Sequence, residues 1–197
     1  LDVDPAHVVL YEAMSNIKLS ILIPTVPSRR DMFERLYNKL EGQIKDDDVE
    51  IISLLDNKKR TVGAKCNDLV RMAQGDSLTF IDDDDDISVD YVPSILEALR
   101  VRRTPDMVTF KIDCTLKWDS GLKQKAIIWP DKDDPNEEFH DGIVKRKPLR
   151  LAVWRRQLAW ESRFPDIQYG EDAGWASQLW AKIETQVKIP KVLYFYR

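Results

Sequence analysis

Short apolar runs alternate along the chain with longer stretches whose apolar residues recur at helical spacing. The first run is Leu19-Ser20-Ile21-Leu22-Ile23, which stops at Pro24-Thr25 and reads as a buried strand. From about Asp31 to Leu40, residues Phe33, Leu36, Tyr37 and Leu40 share one side of a helix, with Ser28 and Asp31 in the outline of a capping box. A second strand, Glu50 to Leu55, closes on Asp56-Asn57. The next helix places Val62, Cys66, Leu69, Val70 and Ala73 on one face and leaves Lys65 and Asn67 off it, near its start. Ser77-Leu78-Thr79-Phe80-Ile81 is the third strand, and Tyr91 to Arg102 a further helix with Pro93 in its first turn. Strand, helix, strand, helix, strand in this order predicts an α/β fold with a mostly parallel central sheet and helices on both faces.

The second half departs from this alternation. Met107 to Ile112 reads as a strand, and Asp119-Ser120-Gly121 as the turn of a hairpin between Thr115–Trp118 and Leu122–Trp129. Residues 130–142 are polar and read as a mobile loop, a candidate lid; His140 lies in it. Trp175, Leu179, Trp180 and Ile183 mark a helix with Glu171 and Asp172 at its N-terminus, and Val192 to Tyr196 a last strand. Residues 1–17, with Val8, Val9, Leu10 and Met14, read as an N-terminal extension ahead of a single domain at 18–197.

Composition narrows the class. A chain of 197 residues that is 43 % apolar is long enough for one domain with a real core. The net charge of −4 argues against a surface built to bind polyanions as a whole. Yet Lys145, Arg146, Lys147, Arg150, Arg155 and Arg156, interleaved with Trp154 and Trp160, form a basic stretch suited to a diphosphate or a polyanion. Two cysteines, Cys66 and Cys114, make neither a disulfide framework nor a zinc site. No run reaches transmembrane length and no basic-then-apolar leader opens the chain, so the expected setting is cytoplasmic.

The chemistry concentrates where the third strand ends. Asp82-Asp83-Asp84-Asp85-Asp86 follows Ile81 directly, at the strand end where open α/β sheets place ligands. Adjacent carboxylates raise one another's pKa, and a cation among them keeps them ionised. Their oxygens suit Mg²⁺ or Mn²⁺, and Mg²⁺ is commonly held by one or two carboxylates plus substrate phosphates. An EF-hand is excluded, because Ile87 and Pro93 stand where its Gly and Glu belong. A solvated acidic loop, a phosphohydrolase with Asp82 as nucleophile and a non-catalytic nucleotide or glycan binder remain as alternatives.

Several of these pieces fall in one order: Ile21 to Thr25, Asp56, Gly63-Ala64-Lys65-Cys66-Asn67, Ala73 to Asp76, Phe80 to Asp85, and Tyr169-Gly170-Glu171-Asp172. The ordered set resembles the GT-A glycosyltransferases, and within them the family-2-like inverting enzymes, over Lys18 to the C-terminus. The resemblance implies a GT-A, Rossmann-like three-layer sandwich with a smaller antiparallel acceptor-side part. The nucleotide-sugar half would be about 18–90 and the acceptor half about 91–197. It implies that Thr25 lines the nucleotide site and that Asp56 hydrogen-bonds the nucleobase, commonly uracil. Lys65, where the family often has Arg, and Asn67 would border the nucleotide-sugar. Asp82 and Asp84 match the Asp-x-Asp motif that binds Mn²⁺ or Mg²⁺, with Asp84 the direct ligand and Asp83 and Asp85 beside it. Asp172 would be the general base and Glu171 its neighbour. The implied reaction is hexosyl transfer from a nucleotide-sugar, a UDP-sugar by expectation. The implied acceptor is a saccharide or lipid-linked glycan, with hydroxymethylated DNA as the other option.

Overall fold

The computed structural model describes residues 17–101, 104–117, 121, 123–134 and 137–197. Within them, the first apolar run forms β1 (Leu19–Thr25), where Leu19, Ile21, Leu22 and Ile23 are wholly buried. A strand buried on both faces is flanked on both sides, and β1 pairs in parallel with β2 (Val49–Leu55) and with β3 (Ser77–Phe80). β2 forms the sheet edge, which explains its half-exposed pattern.

The helices cover both faces. Leu36 and Leu40 of α1 (Arg30–Glu41), with Tyr91, Val92 and Ile95 of α3 (Tyr91–Val101), pack on Leu19, Ile21 and Ile23. Cys66, Leu69 and Val70 of α2 (Val62–Met72) pack on Leu22, Leu78 and Phe80 on the other side. Trp154, Phe164 and Trp175 join this second core, the Phe164 and Trp175 rings stacked 4.6 Å apart. Thr61 caps α2 by accepting the Ala64 N–H at 3.0 Å. The capping box expected at Ser28 and Asp31 does not form: a 3₁₀ turn at Pro27–Arg29 leads into α1, and Arg29 takes the cap position without a side-chain bond.

Beyond β3 the sheet continues through β9 (Val153–Arg155), antiparallel, to β5 (Met107–Lys117), β6 (Lys123–Ile128), β8 (Ile143–Arg146) and β7 (Glu137–His140). β10 (Gln186–Phe195) runs parallel to β5 and antiparallel to the short β4 (Asp86–Ile87). The long strands β1, β2, β3, β5 and β10 therefore all point one way, giving the expected three-layer α/β sandwich with an antiparallel part on one side. β10 is longer than the expected Val192–Tyr196. Its register shifts after Ile189, where Pro190 has no N–H to give the ladder.

Two further expectations change. Within the expected loop at 130–142, residues 137–142 instead belong to a hairpin that runs to Arg146, because Asp141 (φ 48°) and Gly142 (φ 77°) make a two-residue turn that matches the twist of the flanking strands. The helix expected through Ile183 ends early: α5 spans Glu171–Ala176, and a 3₁₀ turn follows at Trp180–Lys182. The expected turn residues Asp119 and Ser120, and the extension up to residue 16, lie outside the described residues. Ile17, the last of that extension, accepts the Asp76 N–H through its carbonyl at 3.1 Å. Among the described residues no helix is long and apolar enough to cross a membrane.

Candidate functional site

β1, β2 and β3 end together, and the five aspartates leave the sheet at that edge. Each carboxylate has a partner, and Asp83 and Asp84 share one. Asp82 receives Arg150 Nη2 on both oxygens, at 2.7 and 2.9 Å. Asp83, buried, accepts the Thr25 hydroxyl at 2.7 Å and Arg29 Nη1 at 2.9 Å. Asp84, the most open of the three at 37 % side-chain exposure, meets the same Arg29 nitrogen at 3.0 Å. Asp85 accepts the Tyr194 hydroxyl at 2.6 Å and the Arg197 N–H at 2.8 Å. Asp86 accepts Lys39 Nζ at 2.5 Å. The run is therefore a hub that ties β3 to α1, β10 and the segment around Arg150.

Burial and mutual repulsion decide the protonation of this hub. Burial pushes the Asp82 carboxyl up, Arg150 opposes it, and Asp84 and Asp83 reinforce it. Burial lifts Asp85 to about 6 against the bonds from Tyr194 and Arg197. Asp86 is held below the usual carboxylate range: burial works against this, and the Lys39 and Ile87 N–H bonds outweigh it. Arg29 is raised, chiefly by its bond to Asp83.

A cavity of about 660 Å³ opens beside the hub. Thr25, Asp56, Lys65, Asp82, Asp83 and Asp84 line it, together with Arg29, Arg60 and the 168–172 segment. Asp56 accepts the Lys58 N–H at 3.0 Å and lies 3.0 Å from Lys65 Nζ and 3.3 Å from Arg60 Nε. These partners hold its carboxyl below the usual range although burial opposes them. Lys65 is buried rather than on an open helix face, because its Nζ also donates to the Thr25 carbonyl at 2.8 Å. Asn67 lines neither this cavity nor the second one described below; its side-chain amide clips the backbone N–H and carbonyl of Phe164, both at 2.9 Å.

Glu171 and Asp172 begin α5. Gly170, with φ 79°, makes the left-handed turn that enters it. Glu171 is buried, and that burial raises its carboxyl against the pull of Arg150. Asp172 accepts its neighbour's Ala173 N–H at 2.8 Å. Pro165 wedges this segment in place. A Cβ on Gly63 would stand 1.9 Å from the Pro165 carbonyl oxygen, and one on Gly174 would stand 2.7 Å from Pro165 Cγ.

A second cavity, about 320 Å³, lies on the other side of the same wall. Asp82, Arg150, Asp172 and Tyr196 line both. The backbone of Tyr196 is fixed from two sides: its own N–H donates to the Asp113 carbonyl at 2.8 Å and the next N–H to Asp85. The basic stretch at 145–156 does not form one surface. Arg155 pairs with Asp106 at 2.9 Å, Arg156 Nε donates to the Gly75 carbonyl, Trp154 is wholly buried, and only Arg146, Lys147 and Arg150 reach the second cavity. His140 is 88 % exposed beside Asp141.

Among the described residues no group of three or more His, Cys, Asp or Glu is arranged to hold a metal ion. The donors present suit a hard divalent ion of the other kind, held by one or two carboxylates and completed by phosphate oxygens. Asp84 offers such a carboxylate at the cavity wall, with Asp82 two residues away.

Strand order, helical layers and the site at the strand ends define a GT-A type of α/β fold. No protein-family model and no curated protein matches the chain. Among solved structures it is similar to S. aureus TarS 1-349 in complex with UDP, at TM-score 0.69 and 15 % identity over 91 % of this chain. It is also similar to TarS 1-349 in complex with UDP-GlcNAc (TM-score 0.66, 15 % identity, 91 %) and to a longer TarS chain (0.66, 16 %, 91 %). The chain spans 60 %, 58 % and 36 % of those three chains, and at this identity the likeness is one of fold.

Proposed function

We propose that this chain is a nucleotide-sugar-dependent glycosyltransferase domain that works by inversion, with Asp172 as general base. The observation that carries the reading is the shared wall. One cavity, rich in cations and carboxylates, lies against a second, more apolar cavity, and Asp82, Arg150, Asp172 and Tyr196 face both. Transfer between two bound molecules needs this arrangement, and a single-substrate hydrolase does not. The UDP and UDP-GlcNAc complexes of the TarS structures support a UDP-sugar in the larger cavity.

In this reading Asp56 receives the nucleobase. Arg29 and Arg60 meet the diphosphate, as guanidinium groups do in paired hydrogen bonds. Asp84 would hold Mn²⁺ or Mg²⁺ together with phosphate oxygens, Asp82 staying engaged by Arg150, and the ion when bound would stabilise the charge on the departing diphosphate as a Lewis acid. Asp172 takes the proton of an acceptor hydroxyl entering from the second cavity, a step worth roughly 10²–10⁴-fold in rate. The phosphohydrolase alternative fits less well, because both Asp82 oxygens already face Arg150 and its carboxylate is not free to attack.

The test is a UDP-sugar panel with UDP release measured with and without Mn²⁺. Asp172→Asn is expected to lower turnover at least about 100-fold while UDP still binds. Asp84→Ala is expected to abolish the effect of Mn²⁺ on UDP affinity. Full turnover in both variants would overturn the reading.

A further inference from the structure

The second cavity carries more positive charge than its catalytic wall requires. Its apolar walls come from Ile112, Leu116, Ile128 and Leu151, and its charged lining residues are Asp82, Asp172, Arg146, Lys147 and Arg150. Arg150 and Asp82 neutralise each other at 2.7 Å. Among the described residues Lys147 has no carboxylate partner: its Nζ donates to the Lys132 carbonyl at 3.1 Å and stands 5.6 Å from the Trp180 ring centroid. Arg146 meets Glu137 at 3.2 Å through Nη1, and that glutamate is 60 % exposed, so solvent weakens the pair. The Arg146 Nε is buried and, among the described residues, has no hydrogen-bond partner. Arg146 and Lys147 bring two incompletely compensated cationic side chains to one cavity, and such groups suit an acceptor from outside the chain. An ammonium with only a carbonyl partner beside it makes that acceptor an anion.

Building on the glycosyltransferase reading, we propose that the second cavity takes an acceptor unit that carries a phosphate ester beside the hydroxyl it presents to Asp172. Lys147 and Arg146 bind the phosphate, and the apolar walls receive the carbon face of the unit. A cavity of about 320 Å³ is at the small end of ligand sites, so hydroxyl and phosphate belong to one unit or to two directly joined. The same chemistry comes from a phosphorylated sugar or from a sugar joined through its anomeric phosphate to a larger carrier. The dispersal of Arg155 and Arg156 onto Asp106 and Gly75 leaves no continuous basic track for a long duplex.

The experiment is calorimetric titration of the protein, saturated with UDP and Mn²⁺, with glucose, glucose 6-phosphate and glucose 1-phosphate. At least one phosphate is expected to bind about tenfold or more tighter than glucose, the effect of one charge-assisted contact. Preference for the 6-phosphate identifies a free phosphosugar, and preference for the 1-phosphate a carrier-linked one. Lys147→Gln is expected to erase the preference, Lys147→Arg to keep it, and raised salt to weaken it. UDP affinity, measured separately, stays unchanged in both variants, because Lys147 lines only the second cavity. Equal affinity for the three sugars, or a preference that survives Lys147→Gln, overturns the proposal. If UDP itself fails to bind, the glycosyltransferase reading fails, which is a separate result.

Discussion

The pair Arg150–Asp82 is the strongest test of how the site is held. Arg150→Met keeps most of the side-chain volume and removes the guanidinium. It leaves Asp82 with no cation at a site where Arg150 and Asp82 are 11 % and 22 % exposed. Removing one partner of a buried pair typically costs about 3–5 kcal/mol, because the remaining charge keeps its desolvation penalty. For a domain of this length each kcal/mol moves the melting midpoint by about 2–4 °C, so a loss of about 6–20 °C is expected. The sign of the pH dependence follows from Asp82. Burial already raises its folded pKa and Arg150 pulls it back, so losing Arg150 raises it further. A folded state that holds its proton more tightly than the unfolded chain gains stability as pH falls. The deficit of Arg150→Met is therefore largest near neutrality and shrinks toward pH 5. The double variant Arg150→Met/Asp82→Asn removes both charges and should recover at least half of the loss. The assay is urea denaturation followed by tryptophan fluorescence between pH 5 and 8, with six tryptophans as reporters. A cost below about 1 kcal/mol, or losses that simply add in the double variant, would refute the account of the pair as a buried unit.

Two further outcomes are expected. Gly63→Ala places a methyl group 1.9 Å from the Pro165 carbonyl oxygen, and backbone cannot rotate away as a side chain would. It should lower stability by about 1–3 kcal/mol and weaken UDP binding, because Gln168, Tyr169 and Gly170 line the larger cavity just beyond; unchanged UDP affinity with full stability would show the contact to be slack. Asp85, raised from 3.8 to about 6, binds its proton more tightly when folded, so its contribution to stability declines as pH rises through that window. Asp85→Asn should gain on the parent by up to about 3 kcal/mol between pH 4 and pH 7, and parallel pH curves for the two proteins would exclude the assignment.

The sheet half of the fold was legible because its determinants are local. Leu19 to Ile23 and Ser77 to Ile81 are buried runs that a strand in mid-sheet requires, Glu50 to Leu55 is an apolar run at the sheet edge, and the helices between them keep a helical spacing. Elements whose existence depends on distant partners were harder to read. β9 is three residues long and exists because β3 and β5 leave a gap for one antiparallel strand. The N-terminal half of β10 reads as a polar segment with a proline, yet it pairs with β5 along its length. The hairpin at 137–146 is a different case. Asp141-Gly142 between Phe139-His140 and Ile143-Val144 is a strong local turn signal, and the charge of the preceding stretch masked it.

At the site, position was readable and partnership was not. Composition alone places five carboxylates at a strand end, and their adjacency suggests one shared cation. The structure instead divides the run among several partners: Arg150 for Asp82, Arg29 shared by Asp83 and Asp84, Tyr194 and the Arg197 N–H for Asp85, and Lys39 for Asp86. None of these neighbours lies near the run in sequence, so no motif could name them; Arg150 is 68 residues away from Asp82 and Tyr194 is 109 from Asp85. This arrangement has a chemical consequence. A bare five-carboxylate loop would repel a diphosphate until a metal arrived. A loop whose inner charges are already compensated leaves Asp84, with Arg29 beside it, as the most exposed of the three carboxylates of the run that line the larger cavity. In the proposed reading, repulsion toward the donor is then reduced before any ion binds, and metal affinity would rest on Asp84 rather than on a cluster. Metal and diphosphate should therefore bind together, each weakly without the other, because neither the chain nor the phosphates alone supply enough oxygen ligands.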